Sequence, residues 1–210
     1  MALTAVAAGA QQFRFGVEAG VPIAQPLAAG PPNPFASYLV HANPYIAGAT
    51  AELRIAPRVS LAVDALMRHF SYDSSGKYVP GQSVYTSRTT SNHWEFPLIA
   101  RYRLRSGKAL SPFVNAGAAA DWLQDMRQVT TVTYFIGGAS TISASQPSEL
   151  RRRTVAGIVG GGGVDARLHR IHLEPQVRYT FWTQGHFLDP SNNTLWDNRN
   201  QVEFLLGITF

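Results

Sequence analysis

No cysteine occurs in the 210 residues, which removes disulfides, zinc-thiolate centres and thiol nucleophiles together. Lysine is almost as scarce, with Lys77 and Lys108 alone, so the 18 Lys plus Arg that exceed 13 Asp plus Glu, for a formal charge of +5, are nearly all arginine. These arginines are spread through alternating segments, and only Arg151, Arg152 and Arg153 run together. A nucleic-acid surface needs a clustered basic patch, so nucleic acid is not an expected partner. No stretch approaches the roughly 20 consecutive apolar residues of a transmembrane helix. If the chain crosses a membrane it does so as a closed barrel, the one strand arrangement that satisfies its backbone hydrogen bonds in lipid.

Further absences concern cofactors. No Asp-x-Asp-x-Asp-Gly loop is present, and His41, His93, His169, His172 and His186 are dispersed in sequence, so neither a metal nor another cofactor is expected. The glycine run at 160–163 is followed by no Lys-Ser or Lys-Thr pair and opens no helix pattern, which excludes a phosphate loop. Small residues easing strand curvature account for it better.

What is abundant is period-two alternation. The chain is 45% hydrophobic and only 15% charged, with 18 Gly, 13 Pro, 11 Phe and 8 Tyr, a composition that suits one all-β domain. The last ten residues place Val202, Phe204, Leu206, Ile208 and the terminal Phe210 on one face, opposite Gln201, Glu203, Leu205, Gly207 and Thr209. Such a pattern belongs to a strand between two unlike environments. Comparable blocks occupy residues 13–23, 45–55, 59–72, 94–104, 112–122, 154–168 and 171–181. Across these eight blocks the apolar face is opposed by Arg14, Glu18, Glu52, Arg54, Asp64, Arg68, Glu95, Arg101, Arg103, Asp121, Asp165, Arg167, Glu174, Arg178 and Glu203. Both signs interleave, as an enclosed interior requires, because charges removed from bulk water must be paired.

The links between blocks alternate strictly in length. Residues 56–58, 105–111 and 169–170 are short, whereas 24–42, 73–91, 128–150 and 185–200 are long and rich in Gly, Pro, Ser, Asn and Thr. The short links therefore share one end with both termini, as in an up-and-down barrel with periplasmic turns and external loops. A soluble barrel turned inside out has the same alternation. The aromatics choose between the two. Trp94, Trp122, Tyr179 and Phe181 fall at the long-loop ends of the apolar face, and Phe13, Tyr102 and Phe210 at the short-turn ends. Two rings of this kind mark the headgroup levels of a bilayer. The expectation is an eight-stranded antiparallel transmembrane β-barrel with a packed, charge-paired lumen.

With those residues in view, the chain resembles the outer-membrane β-barrel domains of Gram-negative bacteria, in the group containing the outer-membrane protein A transmembrane domain and its small eight-stranded relatives. The Trp-Glu-Phe-Pro run at 94–97 and the Ser-Pro-Phe-Val-Asn-Ala-Gly run at 111–117 carry the likeness, and the terminal strand closing on Phe210 resembles the signal that the barrel-assembly machinery reads in that family. The resemblance implies location in the bacterial outer membrane, contact with lipid and lipopolysaccharide, and no enzymatic activity. Residues 1–10, small and apolar with Ala8-Gly9-Ala10 before Gln11, look like the tail of a secretory signal, leaving 11–210 as the barrel domain.

Function beyond architecture is expected in the long loops, where a surface or envelope protein partner would bind. Arg151, Arg152 and Arg153 are candidate contacts for lipopolysaccharide phosphates. A small passive pore is the transport alternative. The enzymatic alternative rests on His69 and Ser71, which share the lipid-facing register of their strand and resemble the His-x-Ser pair of outer-membrane lipid A deacylases, with His69 as base and Ser71 as nucleophile. That family also needs an acidic orienting residue. Here Glu95 has the lumen register, and Asp73 is the nearby substitute.

Exported with a complete signal peptide in a Gram-negative host, the protein is expected to fractionate with the outer membrane and to migrate faster on a gel before boiling than after. Deletion of Phe210 is expected to lower that membrane yield. A detergent-free soluble fold contradicts the barrel, and an unchanged yield contradicts the terminal signal.

Overall fold

The structure, a computed structural model, describes residues 13–24, 27–31, 37–42, 45–79, 83–105, 109–138, 140–187 and 195–210. The suspected signal remnant at 1–10 lies outside these. Eight antiparallel strands form the wall: β1 (Phe13–Pro22), β2 (Ile46–Arg54), β3 (Val59–Val79), β4 (Ser83–Arg103), β5 (Leu110–Tyr134), β6 (Thr154–Leu168), β7 (Ile171–Trp182) and β8 (Asn200–Thr209). Each pairs with its sequence neighbours, and β1 pairs with β8, with Val17 opposite Ile208, so the sheet closes on itself. Closure leaves the wall no free edge within lipid, where an unpaired N–H or C=O would cost several kcal/mol. The tightest periplasmic turn, at residues 169–170, holds His169 at φ 59°, in the left-handed region that a two-residue hairpin needs.

Side chains alternate through the wall as the sequence requires. On β8 Gln201, Glu203 and Leu205 are buried in the lumen, while Phe204, Leu206 and Phe210 are exposed. Exposure here means contact with lipid, and it extends over Phe15, Val17, Val63, Leu98, Val114 and Ile158. From Trp94 to Tyr102 on β4, eight residue steps at ~3.3 Å each and a tilt of ~40° give an apolar band of about 20 Å.

The wall does not end at that band. Residues 73–91 and 128–150 were expected as long loops, yet β3, β4 and β5 continue through much of them. Ser74 pairs with Ser87 and Thr86 with Thr131, and Ser140–Ser145 adds a strand along β5. On the other side Ser37–Ala42, within the expected loop 24–42, pairs with β3 from Phe70 to Ser75. Together these form an open five-stranded sheet projecting on the long-loop side. Its covered face carries Ser74, Ser83, Ser87 and Thr89 rather than apolar side chains, so apolar alternation is absent and no strand was expected there.

One bulge re-aims the projecting part of β5. Asp125 takes φ 53°, and the pairing with β4 shifts between Thr90 and Asn92. Below it Asp121 and Leu123 face inward, and above it Met126 does. The extra residue reverses the parity of everything beyond.

The external mouth of the lumen is filled by apolar side chains from the loops. Leu27, Phe187 and Leu195 pack on Phe70, Tyr72, Leu123 and Met126, with Tyr38, Val40 and Leu150 against them. Phe187 meets the rings of Phe70 and Tyr72 edge-on, each at 6.1 Å. Backbone pairing of Leu27–Ala29 with Leu195–Asp197, and of Leu150 with Phe187, ties the plug together. Phe187→Ala is expected to cost about 3 kcal/mol of local stability and to open residues 183–187 to protease, while the heat-dependent gel shift of the barrel persists. Undiminished protease protection contradicts the plug.

Candidate functional site

The lumen is a ladder of ion pairs from the periplasmic end upward. At the bottom Arg14 and Arg103 reach Asp165, at 3.3 and 3.4 Å, and His172 Nδ1 lies 2.6 Å from the other Asp165 oxygen. Above them Arg101 bridges Glu52 and Glu174, and its guanidinium stacks 4.3 Å over the Phe113 ring. Arg178, with no exposed surface, holds Asp64 at 2.7 Å and Glu18 at 3.4 Å. Higher again, Arg68 meets both Glu95 and Glu203. Strand parity aims these side chains inward, and closure of the sheet brings opposite walls within side-chain reach.

Glycines make room for these groups. A Cβ on Gly163 would lie 2.8 Å from the Phe113 ring, and one on Gly157 2.7 Å from the Trp182 indole. The run at 160–163 thus leaves space for larger neighbours, with no phosphate-binding geometry.

Two of the expected lumen residues sit differently. Arg167 has the inward register but is exposed at the periplasmic rim, because its strand ends there. Arg54 is half-buried near the same rim. The histidines, expected to be scattered, are partly brought together: His93 and His186 both meet Asp121 Oδ2, at 3.1 and 3.3 Å. His93 and His172 had the inward register and were findable by parity. His186 lies beyond β7 in a loop, where parity says nothing. Gln176, Gln201 and Asn115, which share the inward register, join the network as uncharged members; Gln176 donates to Glu18 at 2.8 Å and Asn115 donates to Gln176 at 3.1 Å. Burial pushes the Asp197 carboxyl up to about 6, partly offset by the Phe187 N–H it accepts at 2.7 Å. His186 is held above the usual imidazole range: burial works against its charge, but the Asp121 carboxylate outweighs it.

The aromatic rings lie on the outer wall. Phe13, Tyr102, Trp122, Tyr179, Phe181 and Phe210 are all exposed, and Trp94 pairs across the strands with Trp122. Trp94 donates its indole N–H to Gln124 at 2.9 Å, and the Tyr179 hydroxyl donates to Asn200 at 2.6 Å. Amphipathic rings with a polar tip in this position suit the headgroup level. Arg151, Arg152 and Arg153 extend exposed side chains at the external rim.

His69 and Ser71 stand above the ring of Trp94 and Trp122. His69 donates from Nδ1 to the Asn92 side-chain carbonyl at 2.8 Å. Ser71 is only 8% exposed, on a stretch of β3 paired with Ser37–Ala42. Asp73 is engaged elsewhere, accepting from His41 Nε2 at 2.8 Å.

A family model for the outer membrane protein beta-barrel domain matches residues 9–181. The chain belongs to that family, and with it to the bacterial outer membrane. Among solved structures it is similar to the outer membrane protein OprG from Pseudomonas aeruginosa, at 14% identity and a TM-score of 0.51 over 94% of this chain and 92% of that one. It is also similar to Neisserial surface protein A, at 16% identity and a TM-score of 0.41 over 94% and 95%. The attachment invasion locus protein Ail of Yersinia pestis, in complex with the heparin analogue sucrose octasulfate, aligns at 9% identity and a TM-score of 0.38 over 95% and 99%. No curated protein matches this barrel in sequence.

Within this outer-membrane barrel Arg178 is the charge with most to lose. Arg178→Ala leaves Glu18 and Asp64 without their cation, a change that costs about 3–5 kcal/mol for buried pairs. The expected result is a lower temperature for loss of the compact gel band. An unchanged midpoint contradicts a structural role for the pair.

Proposed function

We propose that this barrel is a non-enzymatic surface protein that binds an anionic saccharide, such as the phosphorylated sugars of lipopolysaccharide, on its projecting sheet. The observation that carries the reading is a groove of about 730 Å³ on that sheet, lined by Ser75, Thr86, Thr90 and Thr131 together with Arg88 and Arg127. Arg88 is 69% exposed on its side chain, with Asp73 only at 4.0 Å, and Arg127 is exposed too. Guanidinium forks beside a row of hydroxyls suit sulfate or phosphate groups on a sugar chain. Arg151, Arg152 and Arg153 extend the same chemistry to the rim. A transport role is disfavoured by the apolar plug and the ion-pair ladder beneath it.

The deacylase alternative is weaker on three observations. Asn92 orients His69 but carries no charge to stabilise an imidazolium. Asp73, the substitute acid, is bound to His41. Ser71 is almost wholly covered.

Binding of a phosphorylated or sulfated oligosaccharide to the folded protein in detergent tests the proposal. Replacing Arg88 and Arg127 with Ala is expected to weaken binding at least about tenfold, since a charge-assisted hydrogen bond contributes roughly 1.5–3 kcal/mol, and added salt is expected to weaken it as well. Equal affinity of the double variant and the unaltered protein would sink the assignment.

A further inference from the structure

Asp121 differs from the other lumen carboxylates in having histidines and no arginine as its ion-pair partners; Asp165 meets His172 but two arginines as well. His93 Nδ1 and His186 Nε2 converge on its Oδ2 at 3.1 and 3.3 Å, and the three ligating atoms lie within 4.8 Å of one another. All three residues are buried. His186 donates its Nδ1–H to the Arg152 carbonyl at 2.9 Å. That bond leaves Nε2 turned toward a carboxylate oxygen, a contact that either a proton on Nε2 or a metal ion shared by the two atoms satisfies. A backbone carbonyl behind a histidine is also the usual support of a metal-ligating imidazole.

Three more observations point the same way. The second Asp121 oxygen, Oδ1, is buried without a hydrogen-bond partner. A cavity of about 20 Å³, the space of one water or one ion, adjoins the cluster and is bordered by Asp197 and Gln201. The nearest lumen guanidinium, Arg68, is already committed to Glu95 and Glu203, so this end of the lumen has an excess of negative charge. The separations fit as well: ligands about 2.0–2.1 Å from a tetrahedral zinc stand about 3.3 Å apart. The other grouping of this type, Asp165 with His172 and Glu174, offers no such opening, because Arg14, Arg101 and Arg103 take up its carboxylate oxygens.

We propose that His93, Asp121 and His186 form a binding site for one divalent transition-metal ion of the zinc type. Two imidazoles and a carboxylate suit zinc, cobalt, nickel or copper better than calcium or magnesium. The site joins β4, β5 and the segment after β7 at the level of Trp94 and Trp122, so the ion fastens the external plug to the barrel wall. The rival reading of the same contacts is a protonated His186 paired with Asp121, which needs no metal.

The test uses untagged, refolded protein in detergent, stripped with a chelator and titrated with Zn²⁺ alone and, separately, Co²⁺ alone. The expected result is uptake of one equivalent, intense visible bands from four-coordinate Co²⁺, and a higher temperature for loss of the compact gel band with Zn²⁺. Asp121→Asn and His186→Ala are each expected to lower affinity at least about tenfold. Because His186 lies outside the wall, its variant keeps the folded gel mobility even if the Asp121 variant does not. Stripped protein that takes up neither ion in saturable fashion overturns the site and leaves the imidazolium pair. Uptake undiminished in His186→Ala overturns it equally, by placing the ion elsewhere.

Discussion

An eight-stranded barrel encloses a space about as wide as the side chains that point into it, and in this chain many of those side chains are charged. A carboxylate or guanidinium on the inward face has neither bulk water nor lipid available and must find a partner across the lumen. Everything else in the wall follows from that constraint. The glycines at 157 and 163 stand where large neighbours need room. Arginine replaces lysine because one planar fork can hold two carboxylates, as Arg178 holds Glu18 and Asp64 and Arg101 holds Glu52 and Glu174.

The ladder changes character toward the outside. Below Trp94 each carboxylate of the ladder has an arginine partner, with His172 added on Asp165. At that level the partners become histidines on Asp121, and above it the filling is apolar, with Phe187 set into the rings of Phe70 and Tyr72. Residues from the first and last external loops supply this plug, so loop and wall form one packed unit. A lumen closed at both levels supports the proposed binding role of the projecting sheet, which carries Arg88 and Arg127.

Much of this was legible because lipid and lumen impose opposite demands on alternate residues. The strands that cross the membrane, and which face of each turns inward, followed from parity. The pairing partners did not, since Glu18 and Arg178 are brought together only when β1 closes on β8 and β8 on β7. The projecting parts of β3 to β5 were missed for a related reason: hydroxyl residues such as Ser74, Ser83, Ser87 and Thr89 occupy the covered face, so no apolar residue marks every second position. The bulge at Asp125 has no compositional mark. His186 shows a further limit, because a loop residue has no register from which its direction could be read.

Single-molecule conductance in planar bilayers tests the closed lumen most directly. Purified, folded protein is expected to give no steady current or at most small, brief steps, since ion pairs and the apolar plug occupy the bore. Large, long-lived openings from the unaltered protein would contradict the account and return the function to the lumen.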